Sequence, residues 1–226
     1  MRIFFISLAL VISCITSAQE TNNNWWESYN NSSSKTAVRN KPDWSPMVTK
    51  IQASLNVDWM SGKAADGFEG SVGYSLGVSE DFFNDKNLGF EVGAYYSKSC
   101  LSMGIGDDYN TSIGLNYLEI QAMANPRLFF ETSSVELNLG LAYNFGMWGS
   151  MSYKSKDLDV NPFSRKASSN GALLKNNHLS MLYGVTFRWE HFYFRTLMHQ
   201  GLTNIANVGS NKAYLWNWDL SIGYIF

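Results

Sequence analysis

The stretch Val135-Glu136-Leu137-Asn138-Leu139-Gly140-Leu141-Ala142-Tyr143-Asn144-Phe145-Gly146 decides the fold. Every odd position is large and apolar, and every even position is polar or small. A period of two puts these sets on opposite faces of an extended strand, whereas a helix would need apolar residues three and four apart. The strand therefore lies between two environments of different polarity.

The same period runs outward in both directions. Toward the N-terminus, Leu118, Ile120 and Ala122 oppose Tyr117, Glu119 and Gln121. Before them, Leu88, Phe90, Val92, Ala94 and Tyr96 oppose Gly89, Glu91, Gly93 and Tyr95. Val72, Tyr74, Leu76 and Val78 oppose Ser71, Gly73, Ser75 and Gly77, and Ile51, Ala53, Leu55, Val57 and Trp59 oppose Gln52, Ser54, Asn56 and Asp58. Toward the C-terminus, Leu179, Met181, Tyr183, Val185, Phe187 and Trp189 oppose Ser180, Leu182, Gly184, Thr186 and Arg188. Phe192, Phe194, Thr196 and Met198 then oppose Tyr193, Arg195, Leu197 and His199, and Tyr214 to Phe226 alternates against Asn217, Asp219, Ser221 and Gly223. Eight strands are expected. The pair Asn125-Pro126 predicts a bulge or an early end to the fourth, because proline cannot donate to a ladder.

Which face meets water is the next question, since a soluble sandwich also alternates. Here the apolar faces are broad and aromatic, while the polar faces are small enough to fill a narrow lumen. Aromatic residues gather at strand ends, with Trp59, Tyr96, Tyr214 and Trp216 toward one end and Trp189, Phe192 and Phe226 toward the other. Two such girdles suit the two interfaces of a bilayer. The connections alternate between long and short. The two longest are expected at 149–177 and about 100–112, and the shortest at Glu190-His191.

Composition agrees. Of 226 residues, 16% are charged, 15% are aromatic and 45% are hydrophobic, with 18 glycines. The hydrophobic content excludes a disordered chain, and a formal charge of −2 speaks against a nucleic-acid binder. Residues 1–18 read as a secretory signal, with Arg2, an apolar core from Ile3 to Ile12, and the small residues Thr16-Ser17-Ala18 before the cut. Val11-Ile12-Ser13-Cys14 offers a competing lipoprotein-like cut that would retain Cys14. Otherwise Cys100 is the single cysteine, so neither a disulfide nor a cysteine-rich metal site is available. Elsewhere no apolar run is long enough for a spanning helix, which leaves a closed barrel as the way across a membrane.

Residues 19–46 differ from the rest. Polar runs at Asn22-Asn23-Asn24 and Ser32-Ser33-Ser34, closed by Pro42 and Pro46, predict a flexible periplasmic tail. Trp25 and Trp26 within it would either rest on the membrane interface or dock on a partner or on the barrel's own periplasmic mouth.

Several blocks resemble a known family. Asn116-Tyr117-Leu118-Glu119-Ile120 resembles the "YLEIP" block of the PorT-like outer-membrane β-barrel family, common in Bacteroidota. Gly201-Leu202-Thr203-Asn204-Ile205 resembles its "GLxNI" block, and Leu220 to Phe226 its terminal strand. Gln121 departs from the proline usual there. The resemblance implies an eight-stranded barrel without established enzymatic activity, and its namesake is linked to type IX secretion.

The expectation is thus an all-β chain: an eight-stranded, antiparallel, up-and-down transmembrane barrel over 47–226 in an outer membrane. An eight-stranded lumen is filled by side chains. Glu91, Glu119, Arg188, Arg195 and Asp219 are expected as its polar cluster, with Arg188 and Arg195 pairing with Glu91, Glu119 or Asp219 because buried charges need partners. No metal, phosphate or cofactor motif is present. His199 is the one plausible base for an enzyme, with Asp107 or Asp108 in reach, but nothing sets a serine beside it. The loop over 149–177 carries Lys154, Lys156, Arg165, Lys166 and Lys175 against Asp157 and Asp159, a bias suited to lipopolysaccharide phosphates. The expected role is a non-enzymatic binding barrel or a subunit of an envelope complex. A secretion or gliding accessory and a lipid-modifying enzyme are the alternatives.

Overall fold

The computed structural model describes residues 46–104, 110–130, 132–153, 156–158, 160–167, 173–207 and 210–226. All belong to one compact unit, Trp44–Phe226. The signal and tail with Trp25 and Trp26, and the loop residues Asp107, Asp108 and Lys154, lie outside them.

Nine strands form among the described residues: β1 Met47–Ser61, β2 Phe68–Phe82, β3 Leu88–Gly104, β4 Asn110–Phe129, β5 Ser133–Tyr153, β6 Lys156–Leu158, β7 Asn177–Trp189, β8 Phe192–Gly201 and β9 Tyr214–Ile225. Each long strand pairs antiparallel with its neighbours in sequence, β5 passing directly to β7, and β1 pairs with β9 to close an eight-stranded barrel. The short β6 only extends the tip of β5. Closure leaves no unpaired edge among the eight long strands, the condition for a sheet to stand in hydrocarbon.

The apolar set points out and the polar set in. Leu139 is 51% exposed, Trp218 42% and Leu55 67%, whereas Glu91 and Asn138 are fully enclosed. This polarity is the reverse of a soluble barrel and is the construction of an outer-membrane β-barrel. At the end bearing both barrel termini the connections are tight, spanning 83–87, 130–132 and 190–191. Glu190 takes a positive φ of 53° in the shortest of them, a conformation that a two-residue hairpin imposes. At the other end two connections are far longer, 154–176 and 202–213.

Two expectations need correction. β4 does not stop at Asn125-Pro126: Pro126 stays paired with Leu88 and the strand continues to Phe129. The Arg127 amide donates to Asn87 O on the β3 side, so the hydrogen bond that proline forgoes faces β5. There the ladder skips two pairs, and Asn138 Nδ2 donates to Asn125 Oδ1 across the gap at 3.1 Å. The expected long loop at 100–112 is also mostly strand, since Cys100 pairs with Gly114 and Gly104 with Asn110. The second-longest connection is instead 202–213.

These extra pairs lift β3, β4 and β5 beyond the barrel body, and there the faces exchange character. Leu101, Ile113 and Leu115 point inward and are buried, joined by Met60, Ala213, Leu215 and Ile205 in an apolar plug. Ser102, Ser112, Ser150 and Ser152 occupy the outer face. On β5 the exchange takes one additional residue: Asn116 pairs with Trp148 but Tyr117 pairs with Gly146, leaving Met147 as a bulge.

Candidate functional site

The lumen of the barrel body is a stack of buried charges. Nearer the tight turns, Arg195 grips Glu91 with both terminal nitrogens, at 2.9 and 2.7 Å, and its Nε donates to Thr186 Oγ1 at 2.9 Å. Lys50 Nζ lies 2.9 Å from Glu91, 2.7 Å from Asp81 and 3.9 Å from Glu136. Arg127 pairs with Asp81 and reaches Glu136 at 3.2 Å. Three cations and three carboxylates thus face one another out of water, where each would be very costly alone. Tyr193 spreads beneath them, its ring centroid 5.5 Å from Lys50 Nζ and 5.2 Å from Arg195 Cζ. Gly223 makes room for that ring, since a Cβ there would collide with it.

Higher in the lumen the balance shifts to acids. His199 stands between Glu119, 3.5 Å from Nδ1, and Asp219, 3.2 Å from Nε2. Asp58 accepts from Asn217 Nδ2 at 2.6 Å and from the Cys100 amide at 3.1 Å. His199, Glu119, Asp219 and Asn217 border a cavity of about 20 Å³, which is room for about one water. Asp219 Oδ1, Asn217 Oδ1 and His178 Nδ1 have no hydrogen-bond partner among the described residues. Tyr117 closes the cavity toward the loops, edge-on to His178 at 5.0 Å and to Phe163 at 5.7 Å.

The five lumen residues named from the sequence are all inside, and Arg195 meets one of its expected partners, whereas Arg188, Glu119 and Asp219 find others. Arg195 takes Glu91, while Glu119 and Asp219 share His199. Arg188 does not join that upper group: it lies near the tight turns, bonded to Asn84 Oδ1 and reaching Glu190 O at 3.4 Å. Sequence reasoning missed Lys50, Asp81 and Arg127, the partners that complete the lower network. Each sits just beyond the point where the alternating pattern begins or ends its strand, and extending the period to the true strand ends reaches all three.

His199 is flanked by two strand carboxylates, and Ser97 and Ser180 border the same small cavity. Among the described residues no group of three or more His, Cys, Asp or Glu side chains is placed to hold a metal ion. Outside the lumen, Arg165, Lys166 and Lys175 are exposed at the loop end, joined by Lys63 and Lys212 from neighbouring connections. Lys156 lies in β6.

No protein-family profile and no curated protein matches the chain. Solved structures that resemble it include several outer-membrane barrels. Ail, the attachment invasion locus protein of Yersinia pestis, solved with the heparin analogue sucrose octasulfate, aligns at 12% identity and a TM-score of 0.46, over 80% of this chain and all of that one. A major outer membrane protein from Thermus thermophilus aligns at 12% identity and 0.43, over 79% and 99%. Neisserial surface protein A aligns at 15% identity and 0.41, over 78% and 95%. The architecture itself stands on the closed strand ladder and its outward apolar face.

Proposed function

We propose that this outer-membrane barrel is a non-conducting, non-enzymatic scaffold whose cationic loop end binds the phosphate groups of lipopolysaccharide. The observation that carries the reading is the division of labour between lumen and loops. The lumen is filled by buried polar and charged side chains, mutually neutralising in its lower half, and capped by an apolar plug, so it offers neither a path for ions nor room for a substrate. The exposed positive charge is concentrated at the loop end, where guanidinium and ammonium groups suit phosphate.

Two measurements test it. The purified protein in a planar bilayer should give no conductance steps, and a steady open level would defeat the filled-lumen half. Replacing Lys154, Lys156, Arg165, Lys166 and Lys175 by Gln should weaken binding to purified lipopolysaccharide, most at low salt. Undiminished binding would defeat the loop half.

A further inference from the structure

The outer wall of the strands is apolar through the barrel body, with one basic exception. Among strand residues whose side chains are described, Lys98 is the single cation facing outward; Lys50, Arg127, Arg188 and Arg195 all face the lumen. It stands on β3 about ten residues above Leu88, which at about 3.3 Å per residue and a tilt of about 40° is about 25 Å of barrel height. That is one hydrocarbon thickness from the tight-turn end. Lys98 is also where the faces exchange, with Tyr96 below it on the outer wall and Ser102 above.

Its surroundings are shaped. Register aligns Tyr74, Lys98, Asn116 and Trp148 in one row across β2 to β5. Tyr96 joins the aromatic floor, with its ring 6.2 Å from Tyr74 and 6.1 Å from Trp148. The Tyr96 hydroxyl donates to Asn116 Oδ1 at 2.6 Å, and Asn116 Nδ2 to Trp148 O at 3.2 Å, so these polar groups are already engaged. The lysine stem leans toward the loops across Gly114: its Cε lies 3.8 Å from where a Cβ of that glycine would be, and Ser150 Oγ lies 3.1 Å from the same point. Just above, Ser112 and Ser152 share a hydrogen bond of 2.5 Å. Among the described residues no carboxylate is within ion-pair distance of Lys98.

We infer that Lys98 is the anchor of a single phosphorylated glycolipid held against the outside of β2–β5. A phosphate at the hydrocarbon boundary meets the ammonium, acyl chains descend along Val92, Leu118 and Phe145, and the aromatic floor marks the depth of the headgroup. The serine-lined wall above suits sugar hydroxyls, which is why the occupant is a glycolipid and not a glycerophospholipid. This site deepens the lipopolysaccharide reading but uses the wall instead of the loops, so the two can fail separately.

The test is native mass spectrometry of the detergent-solubilised full chain, titrated with purified lipid A and separately with phosphatidylglycerol. One lipid A should be retained in preference to phosphatidylglycerol, and Lys98→Gln should weaken its retention about fivefold to tenfold. Lys98→Arg should restore most of it, and the triple change Arg165→Gln, Lys166→Gln, Lys175→Gln should leave it in place. Heat-dependent gel mobility would confirm that each variant is folded. Equal retention by Lys98→Gln and the parent, or equal retention of phosphatidylglycerol and lipid A, would overturn the inference. Loss in the triple variant alone would return the site to the loops.

Discussion

The barrel body and its loop-end extension share strands but obey opposite rules. In the body, Glu91, Arg195 and Asn138 point in while Leu139 and Phe90 point out; in the extension, Leu101 and Leu115 point in while Ser112 and Ser152 point out. The ladder runs on between them, broken only by the bulge at Met147 and by a register shift between Gly70 and Tyr74 on β2. What changes is the medium outside. Where it is hydrocarbon the apolar face is turned to it and polar groups must satisfy one another within; where it is water the ordinary hydrophobic effect returns. One ladder thus records where the bilayer stops.

The comparison can be broken most severely in the body. Glu91→Leu leaves Lys50 and Arg195 without their shared carboxylate and should cost about 3–5 kcal/mol, read by urea unfolding in lipid vesicles. A cost like that of an exposed substitution would mean that the charges do not hold the lower lumen together. Leu115→Ala attacks the extension, where deletion of a fully buried leucine should cost about 2–5 kcal/mol of local packing. It should speed protease cleavage in the 154–176 connection while the body keeps its resistance.

A paired substitution sharpens the boundary. Leu139→Lys places a charge against the lipid core and should cost about 2–4 kcal/mol. Ser152→Lys, on the same strand beyond the bulge, should stay within about 0.5 kcal/mol. Equal costs would place both residues in one medium. A small effect is also expected from Thr196→Val, which removes the 2.8 Å hydrogen bond from Trp218 Nε1 on the outer wall, worth about 0.6 kcal/mol.

The body was legible because period two with large outward side chains persists through every strand, so Leu139 and Arg195 sort onto their faces from spacing alone. The ends were not. Ser97-Lys98-Ser99-Cys100-Leu101-Ser102 carries serine on both faces and Lys98 on the outward one, so it lacks the apolar alternation of the body and resembles a polar loop. Pro126 looks like a terminator because its ladder position, with the missing donor turned toward β5, is a property of register and not of sequence. The lower charge network escaped for the same reason: Lys50, Asp81 and Arg127 lie on strand ends that the apolar pattern does not reach. How His199 is shared by Glu119 and Asp219 depends on the pairing of β4, β8 and β9 around the ring, which no local pattern carries.

The seam between β1 and β9 has a kinetic consequence. It joins the first and last strands of the barrel through a continuous register from Lys50↔Ile225 to Ser61↔Tyr214, while every other junction between long strands joins neighbours in sequence. Hairpins can zip early and cheaply, but this one junction must wait for all of them, and until it forms Arg195 on β8 stays apart from Gln52 of β1 and Glu91 of β3 in a partly open sheet. Maturation is therefore gated by a single late event, after which the molecule has no free rim from which to unravel.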